Sequence, residues 1–285
     1  MKAIFLSVCI IALLALTSGP LEAQEDLVLY DDFEGKFLTP DKWLCGEAST
    51  PAIAIQESSR QIKKEPLYGY KGLNIQNRAR GATSSNSGTY FTATRLTIPE
   101  GSAVETIQAT IQVKRIEAVG CSGNPEPTEV RARMSGYFFN TDVPEPGSAL
   151  NDVQAFIMVR RLSNSDAAAK VLDVIGRVFR CTDDSCANAT SLGTADLGTV
   201  SLNKKVKLRI TWDQANHQFI FQKGSGDPLY VQYEVSDTAP PGTLNGGNKR
   251  VEVVGIVANC TTEPRPVGFM EAFFDNVYVN SGAMP

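Results

Sequence analysis

Apolar and polar residues alternate one for one through several stretches of this chain. Ile107, Ala109, Ile111 and Val113 stand between Gln108, Thr110, Gln112 and Lys114. Val206, Leu208, Ile210 and Trp212 alternate with Lys205, Lys207, Arg209 and Thr211, and Leu229, Val231, Tyr233 and Val235 with Tyr230, Gln232 and Glu234. Side chains of a strand point to opposite faces in turn, so this period marks strands with one buried and one wet face. Antiparallel sheets carry that pattern most cleanly. Further strands are expected at 88–98, 129–140, 153–162, 170–180 and 251–258, with loops at 120–128, 140–150, 181–199 and 236–249. Only 51–65 and 164–170 hint at helix. The chain contains no βαβ alternation and no fixed-period repeat, and its 23 glycines and 15 prolines punctuate many short elements. The expected fold class is all-β, a two-sheet antiparallel sandwich.

The first residues stand apart from that pattern. Lys2 precedes an apolar run from Ala3 to Leu16, and Ala23 offers a small residue before Gln24. This is the layout of a secretory signal peptide over 1–23, because a run of about 14 residues is short of the roughly 20 that span a bilayer. Residues 24–285 then form one large β domain that is secreted or periplasmic, with no membrane span. With 31 acidic against 27 basic residues and no basic tract, nucleic acid is a poor partner. Export permits disulfides. Cys181 and Cys186 bracket Thr-Asp-Asp-Ser like a hairpin tip, while Cys121 and Cys260 each end an apolar run before a Pro-containing loop. These are the expected pairs, and Cys45 is left over. The spacings match no zinc tetrad, and the single histidine, His217, lies far from the cysteines in sequence.

The two ends carry a family likeness. Leu27-Val-Leu-Tyr-Asp-Asp-Phe-Glu-Gly35 followed by Trp43, and Phe274-Asp-Asn-Val-Tyr-Val279, resemble the opening and closing strands of laminarinase- and agarase-type glycoside hydrolases of the concanavalin A-like jelly-roll superfamily. The resemblance implies a jelly roll whose first and last strands lie side by side. It implies a structural calcium at Asp275, with Asp32 or the carbonyl of Gly35 nearby, and glycans lying across a concave sheet face. The chain departs from these enzymes in their chemistry. They carry Glu-x-Asp-x-Glu on a central strand, because a retaining mechanism needs two carboxyls about 5–5.5 Å apart. None of the expected strands between the two end motifs bears two acids at i and i+2 or i+4. Jelly-roll alginate lyases use Arg-x-Glu-x-Arg, Gln-x-His and a late Tyr. Pro127 stands here where the first Arg would be, and His217 belongs to Asn-His-Gln beside a turn. There is also no Gly-x-Ser-x-Gly elbow to present a serine.

One strand is distinctive. Alternation through 129–140 places Val130, Ala132, Met134, Gly136 and Phe138 on one face, and Arg131, Arg133, Ser135, Tyr137 and Phe139 on the other. Arg131, Arg133, Tyr137 and Phe139 are therefore the candidate carbohydrate-binding residues, since aromatic rings stack on sugars and Arg forks onto hydroxyls or carboxylates. The expected function is a secreted, non-catalytic, lectin-like module whose partner is a glycan or an extracellular surface component. The alternatives are a divergent polysaccharide hydrolase or lyase, and a structural extracellular protein.

Overall fold

The computed structural model describes residues 26–283 apart from 50–55, 67–68, 100, 143–145 and 245. The leader expected at 1–23 lies outside them. Fifteen strands make two antiparallel sheets. The first part of the chain gives β1 (Leu27–Asp31), β2 (Leu44–Ser49), β3 (Gln56–Lys64), β4 (Lys71–Arg80), β5 (Thr89–Ile98), β6 (Thr106–Val119) and β7 (Glu129–Asn140). Then follow β8 (Asp152–Leu162), β9 (Val171–Cys181), β10 (Ala189–Ser201), β11 (Lys205–Asp213), β12 (Gln218–Lys223), β13 (Leu229–Gln232), β14 (Lys249–Ala258) and β15 (Val267–Asn280). One sheet runs β13-β12-β11-β6-β15-β4-β3, and β1 pairs with the far end of β15. The other runs β10-β9-β8-β7-β14-β5-β2. This is the two-sheet jelly-roll sandwich expected from the alternation, with the first and last strands side by side (Leu27 opposite Asn280).

The end motifs work through packing. Tyr30, Phe33 and Trp43 are all buried, with Tyr30 edge-on to Trp43 at 5.2 Å and Phe33 stacked on it at 5.6 Å. Asp31 fixes this corner. One of its carboxylate oxygens accepts from the Trp43 indole Nε1 at 2.7 Å and the other from the Phe33 backbone N–H at 2.8 Å. Phe33 is held at φ 53°, a conformation uncommon for a bulky residue. Between the sheets, Leu73, Ile75, Ile107, Ile111, Phe219, Phe221, Val251, Val253 and Phe274 form one continuous core. A lysine belongs to it as well. Lys249 points inward, and its Nζ donates to the carbonyls of Gly101, Tyr137 and Gly247 at 3.0, 2.8 and 2.7 Å. Burial pulls its ammonium down to about 7. Three carbonyl acceptors are what such a desolvated donor requires. Gly136 leaves the space for it, since a Cβ there would fall 2.1 Å from Lys249 Cδ.

Two segments differ from the sequence reading. The helical hint at 51–65 overlaps β3, the edge strand Gln56–Lys64, which is polar along its length and so shows no alternation. Edge strands favour such charged sequences because they discourage pairing with other chains. The expected loop 181–199 contains most of β10, another edge strand, whose Gly- and Thr-rich sequence is interrupted by two register shifts against β9. Residues 164–170 form no helix. Among the described residues no helix is long and apolar enough to cross a membrane.

Both expected disulfides are present, and Cys45 is exposed and unpaired. Cys121–Cys260 spans 139 residues and ties the β6–β7 loop to the end of β14, while Cys181–Cys186 spans 5. In the chain-entropy model the long bridge stabilises by roughly 5 kcal/mol and the short one by roughly 2 kcal/mol. Replacing Cys121 and Cys260 together by Ser should therefore lower the Tm clearly more than the same change at Cys181 and Cys186. Differential scanning fluorimetry of the two double variants measures this, and equal shifts would contradict it.

Candidate functional site

β7, β8, β9 and β14 stand at the centre of the seven-stranded sheet, and their outward side chains align in rows. One row runs Gly46, Arg95, Glu252, Arg133, Met158, Ile175, Asp196 from strand to strand. The row on one side contains Arg250, Ser135, Phe156 and Arg177, and the row on the other contains Val254, Arg131, Arg160 and Asp173. Beyond Phe156 lie Tyr137, Gln154 and Phe179. Alternation in the sequence singles out the β7 residues of this face but not their partners. Each of those strands has its own alternation, but nothing in one sequence tells which strands are neighbours.

Arg131, Arg133 and Tyr137 lie on the outer face as expected. Phe139 does not. The pairing of β7 with β8 shifts register between Tyr137 and Phe139. A bulge of this kind adds one residue and reverses the alternation beyond it. Phe138 and Phe139 are therefore both in the core. Phe139 stacks on Trp212 at 5.3 Å and packs against Tyr233 at 5.0 Å. Two consecutive aromatics, Phe138-Phe139, are the local sign that strict alternation ends there.

Glu252 is the electrostatic centre of the face. It is fully buried, and its Oε1 accepts from Arg133 Nε at 2.7 Å and from Ser135 Oγ at 2.6 Å. Burial alone raises a carboxyl pKa, but Arg133, Arg250 and the Ser135 hydroxyl outweigh it and bring Glu252 down to about 2. The Arg133 guanidinium also lies over the Phe156 ring at 4.3 Å, and Arg250 over Tyr137 at 5.1 Å. The other arginines are held loosely. Arg131 reaches Glu129 at 3.5 Å, and Arg160 is 3.7 Å from both Glu129 and Asp173. Burial, reinforced by Arg133, lowers the Arg131 guanidinium to about 10. Arg131 Nε, Arg133 Nη1 and Arg160 Nε are buried without a hydrogen-bond acceptor among the described residues. A buried donor left unmade costs about 1–3 kcal/mol, more when charged.

The remaining candidates lie elsewhere. Asp275 is on β15 in the other sheet, buried, with Lys205 Nζ at 4.0 Å from its Oδ2. Burial, with Glu34 and Asp32 adding like charge, raises its carboxyl above the usual range. Asp32 accepts from the Glu34 backbone N–H, and Gly35 follows in an exposed turn. Among the described residues no three His, Cys, Asp or Glu side chains group around one point. His217 sits beside the β11–β12 turn as expected, but its Nδ1 pairs with buried Asp237 at 2.8 Å, and Asp237 also accepts from Tyr233. The outer face of the eight-stranded sheet has a groove of about 290 Å³ lined by Glu57, Ser59, Gln76, Arg78, Arg115 and Phe269. Arg115 there is paired with Glu271, and Arg78 stands 3.8 Å from Glu57.

No family model matches the chain, and no curated protein matches it. Among solved structures it is similar to jelly-roll glucanases of the kind its ends resemble. The catalytic domain of an endo-1,3-beta-glucanase (laminarinase) from Thermotoga petrophila RKU-1 shares 12% identity over 90% of this chain and 99% of that one, with a TM-score of 0.43. A glycoside hydrolase family 16 endo-glucanase from Bacteroides ovatus shares 12% over 87% and 98%, with a TM-score of 0.41. An endo-beta-galactosidase from Clostridium perfringens shares 9% over 94% and 66%, with a TM-score of 0.43. Likenesses this distant concern the fold and carry no argument about activity.

Glu252 makes a prediction in two parts. Its folded pKa lies below the ordinary 4.5, so its contribution is complete above about pH 4.5 and is lost as the pH falls toward about 2. Glu252→Gln leaves Arg133 buried and uncompensated, which should cost about 3–5 kcal/mol near neutral pH. The variant should also lose less of its remaining stability than the wild type between those two pH values. Chemical denaturation across that range measures both, and a variant as stable as wild type at neutral pH would contradict the assignment.

Proposed function

We propose that this protein is an exported, non-catalytic carbohydrate-binding module whose binding surface is the outer face of the seven-stranded sheet. The observation that carries the reading is the pair of guanidinium N–H groups, Arg131 Nε and Arg133 Nη1, that lie on this face with no acceptor among the described residues. A ligand rich in oxygen supplies what they lack. Phe179, half-buried and packed on Phe156 at 5.3 Å, adds apolar surface beside them, part of the usual mixture in a site for sugar rings. The two disulfides accord with export.

The charge states favour binding over hydrolysis. A glycosidase acid needs a carboxyl pKa raised toward neutrality. Glu252, the most buried acid of the face, is driven the other way, and its Oε1 is occupied by Arg133 and Ser135. Tyr137, the nearest candidate for a lyase base, is raised by burial, which keeps its proton on at neutral pH.

Affinity electrophoresis against a panel of soluble polysaccharides tests this reading. At least one polymer should retard the protein without gaining reducing or unsaturated ends. Phe179→Ala should weaken the retardation while changing the Tm little, since Phe179 is only half-buried. Cleavage of the retarding polymer would replace this reading with the hydrolase or lyase alternative. Failure to bind any polymer would favour a structural role.

For the cation, we propose that calcium binds at Asp275 with Asp32 and the carbonyl of Gly35. The support is the like charge that Asp32 and Glu34 impose on a buried carboxyl, which a hard cation would relieve. Calcium well above its Kd should then raise the Tm, and Asp275→Asn should abolish the rise. An unchanged Tm would leave Lys205 as the counter-ion.

A further inference from the structure

We propose that the ligand of the arginine face is an acidic polysaccharide, one whose sugar units carry carboxylate or sulfate groups. The inference rests on the reading of that face as a carbohydrate-binding surface and narrows its substrate class.

The first ground is charge. Six arginines point outward from this sheet: Arg95, Arg131, Arg133, Arg160, Arg177 and Arg250. Four carboxylates share the face: Glu129, Asp173, Asp196 and Glu252. The face is therefore net +2 in a chain whose formal net charge is −4. A cationic patch on an otherwise more acidic molecule steers an anionic polymer to one side of the sandwich. A neutral glucan would gain nothing from it.

The second ground is how incompletely those arginines are neutralised from within. Arg133 makes a short contact with Glu252, at 2.7 Å. Arg131 and Arg160 stand 3.5 and 3.7 Å from theirs, beyond good hydrogen-bond length. On this face Arg131, Arg133 and Arg160 carry buried N–H groups with no acceptor among the described residues, as Arg180, Arg209 and Arg265 do elsewhere. Charge-assisted hydrogen bonds are roughly twice as strong as neutral ones, and guanidinium forks match planar carboxylates and sulfate oxygens. Sugar hydroxyls would satisfy the donors but leave the charge unanswered.

The third ground is spacing. Arg131 and Arg160 stand directly opposite on β7 and β8, and Arg177 follows on β9 two rows along. Neighbouring strands are about 4.8 Å apart and each residue advances about 3.4 Å, so these cations run diagonally across the sheet over about 17 Å. A polymer charged along its length can meet more than one of these cations along that line. Half-buried Phe179, packed on Phe156 at 5.3 Å, offers a ring near Arg177.

The test uses the mature protein and its Arg160→Gln/Arg177→Gln variant, both partly exposed positions chosen to spare the core. Binding is measured by biolayer interferometry to polygalacturonate, to a sulfated galactan, to an uncharged mixed-linkage glucan and to single-stranded DNA. The expected result is at least about tenfold tighter binding to one or both acidic polysaccharides than to the neutral glucan. That binding should weaken with added salt and fall in the variant with the Tm unchanged. The uronate and sulfate arms tell which oxyanion is read. Equal or tighter binding to the neutral glucan, lost on Phe179→Ala, would overturn the acidic specificity and keep the carbohydrate reading. Equal binding to DNA would reduce the face to a general polyanion surface and overturn the proposal. Binding to no polysaccharide, or acidic binding untouched in the variant and in Arg95→Gln/Arg250→Gln, would overturn both the specificity and the reading beneath it.

Discussion

Guanidinium groups crowded on one sheet face repel each other, and the buried carboxylate of Glu252 makes their arrangement tolerable. It accepts from Arg133 and Ser135 and lies in the field of Arg95 and Arg250. Without it the middle of the seven-stranded sheet would hold several desolvated cations and no nearby buried anion. It does not neutralise them all. Arg131 and Arg160 stay weakly compensated, which gives the face its residual attraction for anions. The pair with Arg133 fixes the face, and the charge left over supplies the affinity.

The bulge in β7 is the second constraint. Before it, strict alternation keeps Arg131, Arg133, Ser135 and Tyr137 outward. After it, Phe138 and Phe139 both turn inward against Trp212, Phe219 and Tyr233. One strand thus supplies both the outward arginines and the aromatic plug of the core. Lys249 secures the same region from inside, with its ammonium bonded to the carbonyl of Tyr137 and to the loops on either side.

The architecture was legible because alternation reports burial directly and the end motifs report pairing. β5, β7, β8, β9 and β14 fall where alternation placed them. β3 and β10 did not register as strands because edge strands need no apolar face. The cysteine pairs were readable because each half ends an element. The arginine face was only half legible. Arg131 and Arg133 stand out on one strand, but Arg95, Arg160, Arg177 and Arg250 join them only through the strand order, which no local pattern encodes. Asp31 was passed over in favour of its neighbour Asp32. Which of two adjacent acids faces the Trp43 indole depends on the turn at Phe33, where φ is positive.

The most direct test of the account observes the arginines themselves. In the nitrogen-15-labelled protein, the side-chain Nε–H resonances would be followed while a short acidic oligosaccharide is titrated in. The account predicts that the Arg131, Arg133, Arg160 and Arg177 signals shift together and saturably, while Arg78 and Arg115 of the opposite sheet stay still. Shifts confined to Arg78 and Arg115, or no saturable shift at any arginine, would contradict it.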